Sequence, residues 1–404
     1  MKIAFFGTVY HGHHVSQKQL LNKLALQGCN ITYFAPQKYK DIVSKMNVTF
    51  IPYTETPDQG LSRLLDSKLP TSGDVNSRLR FLTETTVDAA IDLAIWSEER
   101  LKEENFDLVL YDNMAIWGYF AAQNLDLPNA CSMIIMATNT KIMKELGDGH
   151  IYLTLSTYVS EPLALLSNKG KQISSFTDIL TCEYNQNKIL YTSKYFQNHA
   201  SYFLDKDYIF FPSRCENPIS KAKTISDNIK IFISYGTIYN SDIQLFKDIL
   251  DNMNNNYEVI VSVGGNNQTF SALSEYNRLN KTYIEMFVNQ EQILKTTDIF
   301  ITHAGLNSVS ESICNFVPMI AIPLVGDQHG VANSLKNLNA GYLVQRTNVK
   351  ESIAQAVTHI IDNQEGYQRN LSIIRSSFED SDSIQSSVDK ILGLASVHSI
   401  IDEL

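Results

Sequence analysis

The chain has 404 residues, 44% hydrophobic and 19% charged, with a formal net charge of -10. That length accommodates two ordinary domains, each with its own core. The acidic balance excludes nucleic acid and anionic lipid as electrostatic partners, although not a neutral lipid acceptor, and no apolar run approaches the length of a membrane span. Cys29, Cys131, Cys182, Cys215 and Cys314 are odd in number and widely spaced, which predicts reduced, mostly buried thiols in a cytoplasmic protein. The amino terminus MKIAFFGTVYHGHH has too short an apolar core for a signal peptide and reads as a first strand. The tail Asp402-Glu403-Leu404 has Ile401 where an endoplasmic-reticulum retention tail carries a basic residue, so it reads as a helix end.

In chain order, residues 2–7 form an apolar strand ended by a glycine. Ser16 is a candidate helix cap; Leu20, Leu21, Leu24 and Ala25 follow at helical spacing and Gly28 ends the helix. Strands are predicted at Ile31–Phe34 and Val48–Ile51, then a long polar loop over 53–76 of the length usually reserved for function. A long helix carries Phe81, Leu82, Val87, Ala90, Ile91 and Ala94, and Asp107–Tyr111 is the next strand, followed by Asp112 and a helix with Trp117 and Phe120. Cys131–Ile135 repeats the alternation, which means a parallel sheet with helices on both faces. The alternation fails from about 137 to 188, then resumes with short strands at Ile189–Thr192 and Tyr208–Phe211 before an irregular stretch from Pro212 to about Asn228 that fits a linker.

A second alternation begins at Ile231–Ser234, with Gly236 in the turn after it. Val259–Val263 ends in Gly264-Gly265; Tyr283–Phe287 and the helix Gln290–Leu294 come next. Ile299–Thr302 is a buried strand, Gly305 allows a sharp turn, and Asn307 and Ser308 stand where a helix begins. Glu311, three residues after Ser308, completes a capping-box pattern. Such a helix start presents unspent N–H groups and a positive dipole end, which suit a phosphate. Pro318 opens another apolar run, and Asp327-Gln328 lies past its carboxyl end, the edge at which open α/β sheets bind ligands. One sheet edge thus offers His303, Ser308, Glu311, Asp327 and Gln328 to a single ligand.

Thr302-His303-Ala304-Gly305-Leu306-Asn307-Ser308, Glu311, Val317-Pro318-Met319, Pro323 and Asp327-Gln328 resemble, in register, the donor-binding signature of the UDP-glycosyltransferases, glycosyltransferase family 1, and most closely its bacterial macrolide-type members. The resemblance implies the GT-B architecture: two Rossmann-like α/β/α domains facing across a cleft. It places an acceptor-binding domain at 1–212, a linker at 213–228, a nucleotide-sugar domain at 229–383 and a helix at 384–404 crossing back to the first domain. The stretch 141–168 matches the family's variable acceptor lobe, although ordinary packing helices explain its residues one by one equally well.

The implied reaction is inverting, metal-independent transfer of a hexose, glucose for preference, from a UDP-sugar to a hydroxyl of a small natural-product acceptor. On the family's first strand and helix, His13 of His11-Gly12-His13-His14 falls on the catalytic histidine and Asp112 on its carboxylate partner. Histidine suits a general base because its ordinary pKa lies near working pH, and it needs a partner that holds the right tautomer. The resemblance assigns the diphosphate to the helix start at Asn307 and Ser308 with Gly305 and His303 beside it, and to Gly236 and Thr237 of the neighbouring turn. Glu311 takes the ribose hydroxyls, and Asp327 and Gln328 the sugar. Phe287 stands where the family's uracil-stacking tryptophan is usual, followed by Val288, Asn289 and Gln290 where Val-Pro-Gln is usual; Val331 replaces a usual Asn.

Other readings of the same residues are a metal site at His11, His13 and His14, a helix cap at Asp112, and a loop and cap at Asp380-Ser381-Asp382 despite its D-x-D spelling. A nucleotide-sugar epimerase of the same fold and a catalytically silent homologue are the alternatives of function. Acceptor identity and oligomeric state leave no mark in the sequence.

Overall fold

The computed structural model describes residues 1–53, 75–145, 163, 166, 171–204, 206–212, 228–237, 239–276, 281–324 and 326–401. Outside them lie residues 54–74 of the polar loop expected at 53–76, most of the acceptor stretch, the linker with Cys215, and the tail at 402–404. The last two residues of that expected loop instead begin the helix Val75–Glu104. The chain divides into two compact units: Met1–Tyr191, His199–Pro212 and Ser381–Leu404 form the first, Thr192–Asn198 and Ser213–Asp380 the second.

In the first unit, β1 (Lys2–Phe6), β2 (Asn30–Ala35), β3 (Thr49–Pro52), β4 (Leu108–Asp112), β5 (Asn129–Met133), β6 (Lys188–Leu190) and β7 (Tyr208–Phe210) form one sheet in the order β3-β2-β1-β4-β5-β6-β7. Every pairing is parallel. The residues of β4 and β5 are all buried, and those of β1 after Lys2, as parallel strands covered on both faces require. Successive side chains enter opposite cores: Phe6, Phe34 and Tyr111 pack with Leu93 and Trp117, whereas Phe5, Tyr33 and Leu110 pack with Leu20, Leu21 and Leu24. The last helix, Ser381–Ile401, completes that second core with Ile384, Val388 and Ile391. Ser387 Oγ donates to the Phe210 carbonyl at 2.7 Å, holding the helix to the edge strand. This helix begins at Ser381, three residues before the expected 384, and takes Asp382 into its first turn, where a carboxylate complements the dipole.

In the second unit, β8 (Lys230–Ser234), β9 (Glu258–Ser262), β10 (Thr282–Glu285), β11 (Ile299–Thr302), β12 (Met319–Ala321) and β13 (Gly341–Leu343) form a parallel sheet in the order β10-β9-β8-β11-β12-β13. Ile231, Ile233, Val259, Val261, Ile299 and Ile301 pack with Leu245, Phe246 and Ile249 on one face, while Phe232 and Phe300 stack at 5.0 Å on the other. Residues 192–198 belong here: Ser193 Oγ and Ser377 Oγ are 2.7 Å apart, and Phe196 meets Phe378 edge-on.

Strand order reverses between β1 and β4 in the first sheet and between β8 and β11 in the second. Chain segments leave such a switch point in opposite directions, opening a crevice at the carboxyl edge where ligands of open α/β sheets bind.

Candidate active site

His13 and Asp112 straddle the first switch point, following β1 and ending β4 respectively. The expected loop around His13 is helical: a helix runs His11–Leu26 with Tyr10 as N-cap, placing His13 in its first turn. Ser16 is accordingly no cap; it lies inside the helix and its Oγ donates to the Gly12 carbonyl at 3.0 Å. His13 Nδ1 lies 2.8 Å from Asp112 Oδ2, with His13 one-fifth exposed and Asp112 fully buried. A carboxylate only accepts, so Nδ1 carries a proton, and in the neutral ring Nε2 holds the lone pair. Asp112 also receives the Met114 N–H on Oδ1 at 2.9 Å, a turn contact; it caps no helix, because the next one runs Trp117–Asn124 with Ile116 as N-cap and no side-chain cap.

The next histidine points the other way. His14 is fully buried, its Nδ1 2.7 Å from Tyr33 Oη, and burial lowers its pKa to about 4, leaving it neutral. The three histidines therefore do not converge, and among the described residues no group of three or more His, Cys, Asp or Glu side chains is placed to hold a metal ion.

The second switch point carries the donor signature. Gly236, at φ +68°, follows β8, and His303 follows β11. A Cβ at Gly236 would lie 3.2 Å from His303 Cε1, and one at Gly305 would lie 2.7 Å from its Nε2. The imidazole thus fills a slot cleared by two glycines. Gly305 does not supply the turn: its φ is −64°, and the left-handed residue is Ala304 at φ +65°. Gly305 is required instead by the ring beside it. His303 is 9% exposed, and burial lowers its pKa to about 4. Its ring is therefore neutral.

The helix after this turn runs Leu306–Cys314 with Gly305 as N-cap and no side-chain cap. The capping box expected from Ser308 and Glu311 does not form, because Ser308 is already the third helical residue and Glu311 is engaged elsewhere. Gln290 Nε2 donates to Glu311 Oε2 at 2.8 Å and to Ser308 Oγ at 3.1 Å. Burial raises the Glu311 pKa, with the Gln290 amide acting in the opposite sense. The N–H groups of the first turn lack intrahelical acceptors.

Gln290 is presented by the helix Gln290–Leu294, whose N-cap Asn289 receives the Gln292 N–H at 3.2 Å. Asn289 thus starts the helix where the family usually has proline. Phe287 lies beyond the end of β10, rather than within the strand as expected, and is 65% exposed. A Cβ at Gly265, φ +86°, would come within 2.4 Å of Phe287 Cζ, so the ring lies over a glycine. Val288 is half-buried and Thr237 exposed. Asp327 opens the helix Asp327–Asn337 after Gly326 at φ +56°. Gln328 is buried and its Oε1 accepts the Leu324 N–H at 2.9 Å, bracing the loop before the helix. Val331 is wholly buried, a core residue in this chain.

Two sets of residues escaped the sequence reading. Asn240 Nδ2 donates to the carbonyls of Gly236 and Gly264, both at 3.1 Å, tying the two glycine turns together. Behind Asp112 stand Gln17, Tyr33 and Ser132. Gln17 is four residues from His13 on one helix face, a spacing visible in the sequence; the Asn240 contact has no such local signal.

Two parallel α/β sheets, each with candidate residues at its switch point, form the GT-B fold. The model of the family "UDP-glucoronosyl and UDP-glucosyl transferase" matches residues 275–384. An uncharacterised UDP-glucosyltransferase of Bacillus subtilis (strain 168) is 25% identical over 96% of each chain, and an NDP-glycosyltransferase of the same organism is 25% identical over 88% of each. Among solved structures, the glycosyltransferase of kitacinnamycin superposes with a TM-score of 0.74 at 16% identity over 97% of this chain and 98% of that one. A glycosyltransferase solved in complex with DTDP gives a TM-score of 0.64 at 12% identity over 98% of this chain and 100% of that one. The chain is thus similar over nearly its whole length to UDP- and NDP-glycosyltransferases, with the family model matched at residues 275–384, and it is a glycosyltransferase. Among the described residues no helix is long and apolar enough to cross a membrane.

Proposed function

We propose that the protein transfers a hexose, glucose in our reading, from a UDP-sugar to a hydroxyl of a small natural-product acceptor, in the cytoplasm, with inversion at the anomeric carbon and without a metal ion. The observation that carries this reading is the His13–Asp112 contact of 2.8 Å at a switch point, with Asp112 fully buried and His13 partly open. His13 Nε2 takes the acceptor proton while the oxygen attacks the anomeric carbon; the bond from that carbon to the diphosphate breaks, and UDP departs with the electron pair. Asp112 stabilises the imidazolium so formed.

The donor falls to the second unit. The helix start at Leu306–Ser308 and the neutral His303 donate to the diphosphate. Glu311 accepts from the ribose, Phe287 stacks on the base, and Asp327 with Gln328 line the sugar. Relatives named as UDP-glucosyltransferases support the donor, and structures named for kitacinnamycin and calicheamicin support the acceptor class. The test is a screen of nucleotide sugars against hydroxylated natural products, read by mass spectrometry, with the anomeric configuration of the product read by NMR. UDP-glucose and a product of inverted configuration are expected. Isomerisation of the donor with no acceptor present would replace this reading with an epimerase.

A further inference from the structure

Asp112 is held from behind by buried side chains. Gln17, fully buried, donates from Nε2 to Asp112 Oδ2 at 2.7 Å, the same oxygen that faces His13 Nδ1, and approaches Ser132 Oγ at 3.4 Å. Its Oε1 accepts from Tyr33 Oη at 2.7 Å, and Tyr33 Oη in turn faces His14 Nδ1 at 2.7 Å. Ser132 Oγ meets Tyr191 Oη at 2.9 Å. The order of donors is forced. Asp112 can only accept, so the Gln17 amide must turn its NH₂ toward it and its carbonyl toward Tyr33. The Tyr33 proton is then committed to Gln17, and the phenol oxygen accepts from His14. The chain His14–Tyr33–Gln17 thus runs as successive donors into the oxygen that orients His13. A Cβ at Gly7 would lie 2.8 Å from Tyr33 Oη and 3.1 Å from His14 Cε1, so Gly7 is cleared for the same chain. A packed apolar side chain at 17 would avoid burying an amide; the buried amide instead spends its shortest donor contact on Asp112.

We propose that Gln17 is a positioning residue, which fixes Asp112 so that its Oδ2 keeps His13 in the Nδ1–H tautomer with Nε2 turned to the acceptor. The proposal rests on the base role of His13. Its test is Gln17→Leu in the full chain, with Tyr33→Phe as a second variant that preserves the ring. Three quantities are read: kcat, UDP affinity by calorimetry, and the ring ¹⁵N resonances of His13, which report the tautomer without any turnover. For Gln17→Leu, kcat falls on the order of 10-fold, as loss of one hydrogen bond to a charged group predicts. UDP affinity stays within about 2-fold, because a donor held by the second unit does not draw on Gln17. The His13 spectrum changes from one tautomer to a mixture. Tyr33→Phe moves the same quantities less. Wild-type kcat with an unchanged His13 spectrum overturns the proposal, and so does a loss of kcat that follows thermal stability alone while the tautomer is unchanged. If Gln17→Leu does not fold, an unchanged His13 spectrum in Tyr33→Phe is the overturning result. Failure of the base reading looks different: His13→Ala then keeps wild-type turnover, whatever the tautomer does in the Gln17 variant.

Discussion

The two switch points solve opposite problems. At the first, polar side chains are buried and committed to one another: Asp112, Gln17, Tyr33 and His14 are each about 0% exposed and hydrogen-bonded. At the second, the site is shaped by missing side chains. Gly236, Gly264, Gly265 and Gly305 would each place a Cβ against His303, Gly236 or Phe287, and Phe287 is largely exposed. A general base needs one tautomer in one orientation, which a closed network imposes. A nucleotide sugar needs room, backbone N–H groups and a flat ring, which glycines and an exposed aromatic supply. On the proposed function, rigidity belongs to the chemistry and space to the ligand.

The largest expected effect breaks the first side alone. His13→Ala should lower transfer by about 10²–10⁴-fold, the usual contribution of a general base, with calorimetric UDP affinity unchanged. Turnover at the wild-type rate would remove His13 from the mechanism.

Breaking the second side should do the reverse, with a smaller effect that appears in binding. Glu311→Ala loses a charge-assisted contact of about 1.5–3 kcal/mol, so UDP should bind roughly 10- to 150-fold more weakly. The wild type should prefer UDP to dTDP, which lacks one ribose hydroxyl, and Glu311→Ala should erase that preference. Phe287→Ala should weaken both nucleotides alike, by about 1–3 kcal/mol, since stacking ignores the ribose. Equal affinity of the wild type for UDP and dTDP would move the donor to a deoxythymidine sugar.

A subtler difference between the sides lies in pH. Burial raises the Glu311 pKa, and its proposed role as an acceptor needs the ionised form. UDP affinity should therefore be complete above that raised pKa and fall as pH drops through it, at a higher pH than an ordinary glutamate would give. Gln290→Leu removes the amide that opposes the shift, so the loss should begin at a still higher pH. Calorimetric titration of UDP across mildly acidic buffers checks both; identical curves for the two proteins would separate Gln290 from Glu311. The smallest effect is a null one: excess EDTA should leave turnover unchanged, and loss restored by magnesium would return attention to Asp380 and Asp382.

Local pattern determined the elements at both sides. Apolar runs such as KIAFF and LVLYD became buried parallel strands, because a strand covered on both faces needs no alternation. The signature from Thr302 to Gln328 located one set of candidate residues, and His13 with Asp112 the other. Features visible only as local chemistry were read less well. Ser308 and Glu311 have capping spacing, yet Gln290, eighteen and twenty-one positions earlier, takes both side chains. Gly305 stands where a turn occurs, yet Ala304 makes the turn and Gly305 makes room for a ring.

The sequence by itself, then, settled most of the strands and helices and the family they resemble, since periodicity and motif spacing act over a few residues to a few tens. The strand Gly341–Leu343 and the helices Asn267–Tyr276 and Gln364–Phe378 emerged only in the structure. The tertiary structure alone decided that His13 meets Asp112 across 99 positions and Gln17 meets it across 95. It also decided that two glycines flank one imidazole. Those contacts depend on strand order: β4 lies beside β1, and β11 beside β8, only because the chain doubles back at each switch point. No local propensity encodes that adjacency, which follows from burying both faces of each sheet at once.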